Sequence, residues 1–175
     1  MKNSKAIIEA LIFSADSPLA KEKIKAILGD IEMETVGQYI AELVSEYDQR
    51  EGGLCIQEIA GGFQFRTKTN YAPWIKALKG NRAYTFSRAA METIAIVAYR
   101  QPIIKADIDR IRGVDSGGCV KNLLEKRLIR IMGRMEEAGK PILYGTTKKF
   151  LEVFNLNELS ELPTLYELQE LNENQ

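Results

Sequence analysis

The chain contains a weak copy of itself, and that repeat limits what it can fold into more than any other feature. With an offset of 84 residues, Pro18 falls on Pro102, Lys21 on Lys105, Ile24 on Ile108, Ile27 on Ile111 and Gly29 on Gly113. The same offset sets Phe13 on Val97, Val36 on Val120, Ile40 on Leu124 and Val44 on Leu128. Identity is low, but the order of apolar, proline and glycine positions runs from Phe13 to Val44 without a gap. Two small, similar cores follow, one in each half.

Each copy spells out the same elements. The first helix runs from about Ser4 to Ser14, with Ile7, Ile8, Leu11 and Ile12 on one stripe. Its counterpart opens at Ser87, a good N-cap, and presents Met91, Ile94, Ala95 and Ala98. Pro18 or Pro102 then turns the chain into a short helix, Lys21 to Leu28 or Lys105 to Arg112. Gly29 or Gly113 ends it, where a left-handed residue is easiest to place. Val36, Tyr39, Ile40, Leu43, Val44 and Tyr47 predict a third helix, repeated by Val120, Leu123, Leu124 and Leu128. A hairpin follows, Leu54 to Ala60 against Phe63 to Thr67 through a Gly61-Gly62 turn. In the second copy Ile129 to Gly133 and Ile142 to Thr146 flank a polar tip, Arg134 to Lys140. Short closing helices are expected near Tyr71 to Leu78 and Lys148 to Phe154. Helix, helix, helix, hairpin is the winged-helix order. The fold class is therefore mainly α with small β-hairpins: two tandem winged-helix domains joined near Lys79 to Phe86.

Charge marks the same boundaries. Residues 1–80 carry 10 basic and 11 acidic groups, residues 81–155 carry 14 and 8, and residues 156–175 carry 0 and 5. The expected layout is a winged-helix domain at 1–80, a second at 81–155 and an acidic, partly disordered tail at 156–175. In the tail, Leu156, Leu159, Leu162, Leu165, Leu168 and Leu171 recur every third residue, and Pro163 interrupts any helix. That spacing drifts by about 60° per step around an α-helix, so it predicts a short docked turn through Leu162 and then a mobile end.

The chain has no histidine. This removes the commonest general base, the usual nucleophile pairs and the commonest metal ligand. Gly113-Val-Asp-Ser-Gly-Gly118 lacks the strand and lysine of a phosphate-binding loop. Cys55 and Cys119 are far apart and read as reduced, partly buried thiols. We expect no enzyme, cofactor or metal, no membrane span and a cytoplasmic protein.

A DNA reader needs bases on the outward face of its third helix. The first copy offers Thr35, Gly37, Gln38, Ala41, Glu42, Ser45 and Glu46 there, two acids and no base. The second offers Gly117, Gly118, Lys121, Asn122, Glu125 and Lys126, with Arg130 and Arg134 in the wing. Direct nucleic-acid binding is thus expected to be weak or absent, and a winged-helix transcription regulator is the alternative reading.

Long ordered motifs add a resemblance. Ser87-Arg-Ala-Ala-Met-Glu-Thr-Ile-Ala-Ile-Val-Ala-Tyr-Arg-Gln-Pro102, Ile111-Arg-Gly-Val-Asp-Ser116 and Leu123-Leu-Glu-Lys-Arg-Leu-Ile129 resemble the segregation and condensation protein B (ScpB) family. So do Gly133-Arg134, Gly139-Lys-Pro-Ile-Leu-Tyr-Gly-Thr-Thr147 and Phe150-Leu151. The resemblance implies a non-catalytic subunit of the bacterial condensin complex, associated with the nucleoid. It implies a homodimer formed through the N-terminal domain. It also implies that the C-terminal domain grips the kleisin ScpA, and through it an SMC ATPase. Within those motifs, Tyr99, Arg100, Arg112, Arg134, Tyr144 and Phe150 are the aromatic and arginine candidates for partner contact. The competing role is core for Tyr99, Tyr144 and Phe150, and for Arg112 a helix cap through Asp115.

Overall fold

The computed structural model describes residues 3–79, 86–164 and 167. The chain divides into two compact units, Met1–Ala83 with Asn155–Gln175, and Tyr84–Phe154. The junction expected near Lys79 to Phe86 falls mostly at residues 80–85, outside the described residues. So do the tail leucines from 165 on.

The first unit is built from α1 (Ser4–Ser14), α2 (Lys21–Leu28), α3 (Met33–Gln49), β1 (Leu54–Ile59), β2 (Gly62–Thr67) and α4 (Ala72–Lys79), with a 3-10 turn at Thr69–Tyr71 before α4. Asn3 caps α1, its side chain accepting from the Ala6 amide. Ile8, Ile12, Ile24, Val36, Ile40 and Phe63 meet in one buried core. Ile24 is fully buried although the rest of α2 is mostly charged, so one side chain anchors that helix.

The second unit repeats the plan with α5 (Arg88–Arg100), β3 (Ile103–Ile104), α6 (Lys105–Arg112), α7 (Gly117–Glu125), β4 (Ile129–Arg134), β5 (Ile142–Thr146) and α8 (Lys148–Phe154). Ser87 caps α5 by accepting from the Ala90 amide. Ile108 is as deeply buried as Ile24, its equivalent. Gly29 and Gly113 both end their helices at positive φ, 77° and 71°. The Gln101–Pro102 peptide is cis.

The repeat extends to an element absent from the sequence reading. Ile103 and Ile104 form β3, which pairs with β5 and makes a three-stranded sheet of order β3-β5-β4. Leu19, the equivalent of Ile103, makes the matching two-way backbone bridge to Phe63. Two residues give no periodicity to read, so this strand was silent in the sequence.

Several local expectations need correcting. Leu128, expected on the third helix of the second copy, lies beyond α7, which ends at Glu125. The first hairpin turns at Ala60-Gly61, one residue earlier than expected, because Ile59 pairs with Gly62. Gly62 is needed for a different reason: a Cβ there would stand 2.7 Å from the Pro18 carbonyl carbon, against the bridging backbone. Phe13 and Val97 are not equivalent, since Phe13 is exposed and Val97 is buried. The α1–α2 connection spans six residues and the α5–α6 connection four, so the offset slips within the first helix. Met91 and Ala95 are exposed, and α5 instead buries Ala90, Thr93, Ile94, Val97 and Ala98. Ile27 and Ile111 do match, yet as exposed side chains (53% and 52%) and not as core.

Replacing Gly62 with alanine is expected to destabilise the first unit by about 1–3 kcal/mol, because backbone must move to admit the methyl. Gly37→Ala, where a Cβ meets open space, is expected to be neutral or slightly stabilising. Urea unfolding of the two variants checks this; equal midpoints would contradict the close approach.

Candidate partner-binding surface

The six candidate residues divide by burial. Tyr144 lies on β5 opposite Ile103 and Ile131 and is buried. Phe150 on α8 is buried, its ring 4.7 Å from Phe154, which in turn stacks on Phe86 at 5.9 Å. Arg112 is also inside, with 7% of its side chain exposed. Its guanidinium sits 3.7 Å from the Glu92 carboxylate and 3.9 Å from Cys119 Sγ. The expected Asp115 partner is engaged elsewhere. Tyr99 is half-buried. Arg100, the last residue of α5, and Arg134, the last of β4, are exposed. Arg134 donates to the Lys140 carbonyl across the wing tip at 3.0 Å.

The family-like motifs turn out to hold the second unit together. Gln101 Oε1 accepts from the Thr146 amide at 2.7 Å and from its hydroxyl at 3.1 Å, while its amide donates to the Ala98 carbonyl. This ties the end of α5 to β5. Gly145 makes room for Met132 and for the tie, since a Cβ there would lie 2.2 Å from Met132 Sδ and 2.8 Å from Gln101 Oε1. A second network organises the α6–α7 turn. Lys105 bridges Asp109 at 2.6 Å and Asp115 at 2.5 Å, and Asp109 also accepts from the Ser116 amide and hydroxyl. Lys105, then Ser116, hold the Asp109 carboxyl well down, at about 2. Lys105 likewise holds Asp115 below the usual carboxylate range, helped by the Gly117 amide.

Surfaces missed in the sequence are more open. On α4, Trp74 and Leu78 are 68% and 84% exposed, one turn apart, and the Tyr71 ring lies 6.2 Å from that of Trp74. Ile131, Met132 and Met135 are exposed on the second wing. A groove of about 520 Å³ runs along the outward face of α3, over Gly37, Ala41 and Ser45, walled by Glu58 and Phe63 of the hairpin. The small residues at four-residue spacing in α3 were the available signal for it. The acids of this face are partly matched: Lys5 binds Glu42 at 2.8 Å and Glu46 at 2.5 Å. Among the described residues no group of three or more histidines, cysteines or acids could hold a metal ion. No described helix is long and apolar enough to cross a membrane.

Comparison with known proteins gives this arrangement a family. The model described as "Segregation and condensation complex subunit ScpB" matches residues 6–165. The chain belongs to the ScpB family. It is 49% identical to segregation and condensation protein B of Syntrophotalea carbinolica over 95% of this chain and 84% of that one. The Myxococcus xanthus protein of the same name is 40% identical over 95% of this chain but only 50% of its own length. A crystal structure of a dimer of the ScpB N-terminal domain complexed with an ScpA peptide is 35% identical, over 44% of this chain and 95% of that one, with a TM-score of 0.41. Within the ScpB-like motifs named above, Gln101, Gly145 and Ser116 each have a packing or hydrogen-bonding role.

The Asp109 network carries a pH signature. A carboxyl lowered to about 2 from its ordinary 3.8 stabilises the folded unit fully above the unfolded value, and that contribution is lost as pH falls from 4 towards 2. Thermal melts between pH 6 and pH 2 should show a steeper acid loss in wild type than in Asp109→Asn. Parallel curves would remove Asp109 as a source of acid sensitivity.

Proposed function

We propose that this chain is a non-catalytic subunit of a condensin assembly, binding the kleisin ScpA as a homodimer and, through the kleisin, an SMC ATPase. It would act in chromosome condensation and segregation, in the cytoplasm at the nucleoid. The observation that carries the reading is the match to the ScpB family over residues 6–165. The geometry supports it. Both units have the winged-helix order, yet α3, where a DNA reader would carry bases, shows carboxylates and a groove that runs over its small residues Gly37, Ala41 and Ser45. Like charge facing phosphate disfavours DNA there, and a small-residue groove suits polypeptide.

Within the second unit the exposed candidates Arg100 and Arg134, with half-buried Tyr99, are proposed to touch the partner directly. Arg112, Tyr144 and Phe150 act by shaping the surface from beneath. In the first unit the Trp74 and Leu78 face is the apolar ground for pairing of two copies.

Size-exclusion chromatography with light scattering tests both parts. The wild-type chain is expected to elute as a dimer and to shift to a larger complex with the central segment of the kleisin. Arg100→Ala combined with Arg134→Ala should weaken the kleisin about tenfold or more, roughly 1.4 kcal/mol, with unfolding unchanged. Tyr144→Ala should instead destabilise the second unit by roughly 3–5 kcal/mol. A monomer that ignores the kleisin but binds duplex DNA with a steep salt dependence would replace this reading with the regulator.

A further inference from the structure

The two central residues of the first hairpin turn find their amide partners outside the hairpin. Ala60 and Gly61 both have positive φ, 53° and 73°, the combination a two-residue hairpin turn demands and a non-glycine residue dislikes. Ala60 is also buried, at 7% exposure, so its amide needs a partner from protein. That partner lies 96 positions further along the chain. The Ala60 amide donates to the Leu156 carbonyl at 2.9 Å, and the Gly61 amide donates to Asn157 Oδ1 at 2.8 Å.

The donor pair meets a segment that is itself organised. The Asn157 amide donates to Glu161 Oε2 at 2.6 Å. Leu159–Glu161 forms a 3-10 turn, and Leu156 and Leu162 are half-buried. The second hairpin needs no such help: within its tip the Met135 amide donates to the Pro141 carbonyl and the Lys140 amide to the Glu137 carbonyl.

We propose that Asn155–Leu162 is a strap that latches the first wing: Leu156 and Asn157 occupy a receptor formed by the Ala60 and Gly61 amides, and the strap can release without the unit unfolding. Glu58 and Phe63, close on either side of the turn, wall the α3 groove, so the latch sets how firmly one side of that groove is held.

Amide hydrogen exchange on the full chain, read residue by residue by NMR, tests it. Asn157→Ala is expected to raise exchange at Gly61 and Ala60 about five- to thirtyfold, the factor that follows from losing one or two hydrogen bonds. Amides in α1, α3 and the second unit should stay as in wild type. Asn157→Asp, which keeps an oxygen at the same place, should restore most of the protection. A chain stopped after Phe154 should exchange faster still at both turn amides. Unchanged exchange at Ala60 and Gly61 in both Asn157→Ala and the shortened chain would overturn the strap. A rise spread evenly over the first unit would also overturn it, by showing general destabilisation in place of a latch.

Discussion

Burial of one isoleucine in the middle of a short, charged helix governs the rest of each unit. Ile24 and Ile108 are both fully enclosed, and the helices that carry them, eight residues each, are too short to be stable alone in water. They persist because neighbouring elements close around that side chain; Ile24 packs with Ile8 and Ile12 of α1, Val36 and Ile40 of α3 and Phe63 of the hairpin. Loss of the enclosure would leave α2 and α6 as mostly polar segments with no reason to be helical. The other elements follow from this: a proline turn to bring the short helix across, a glycine at positive φ to end it, and a strand bridge at Leu19 or Ile103 to seal the approach.

Features governed by local physics were legible in the sequence. The bounds of α1, α2, α6 and α8 agree with periodicity, capping and breaker signals, since each is set by residues inside or next to the helix. Features set by distant backbone were not. Gly61-Gly62 looks like a turn by itself, and only the approach of Pro18 and Leu19 shows that Gly62 belongs in the strand. Phe13 and Val97 match in the sequence, but connections of unequal length put them on different helix faces. The return of Leu156 and Asn157 to the first unit could not be read from a leucine every third residue. That spacing says only that the segment is no long helix.

The candidate site was less legible than the fold, for a chemical reason. Aromatic and arginine residues are the types enriched at interfaces, and they are also the types a small domain uses to complete its core. Tyr144, Phe150 and Arg112 satisfy the first description in the sequence and the second in the structure. The family-like motifs pull in the same direction. Gln101 ties α5 to β5 through Thr146, and Ser116 binds the Asp109 carboxylate that Lys105 also holds, so part of the pattern that makes the family recognisable reports how the second unit is tied.

Exposure separates surface from core, but contiguity is what marks a surface for binding. Ile27 and Ile111 are each about half exposed, and single apolar side chains of that kind are ordinary on any folded domain. Trp74, Leu78 and Tyr71 differ because two lie one turn apart on α4 and the third brings its ring against the tryptophan. Water must be ordered over all three together, and covering them together releases more free energy than covering any one. Trp is also rigid for its area, so little side-chain entropy is lost when it is covered. The contrast within the chain follows: Ile24 and Ile108 complete small cores, while Trp74, Leu78 and Tyr71 stay together on the outside.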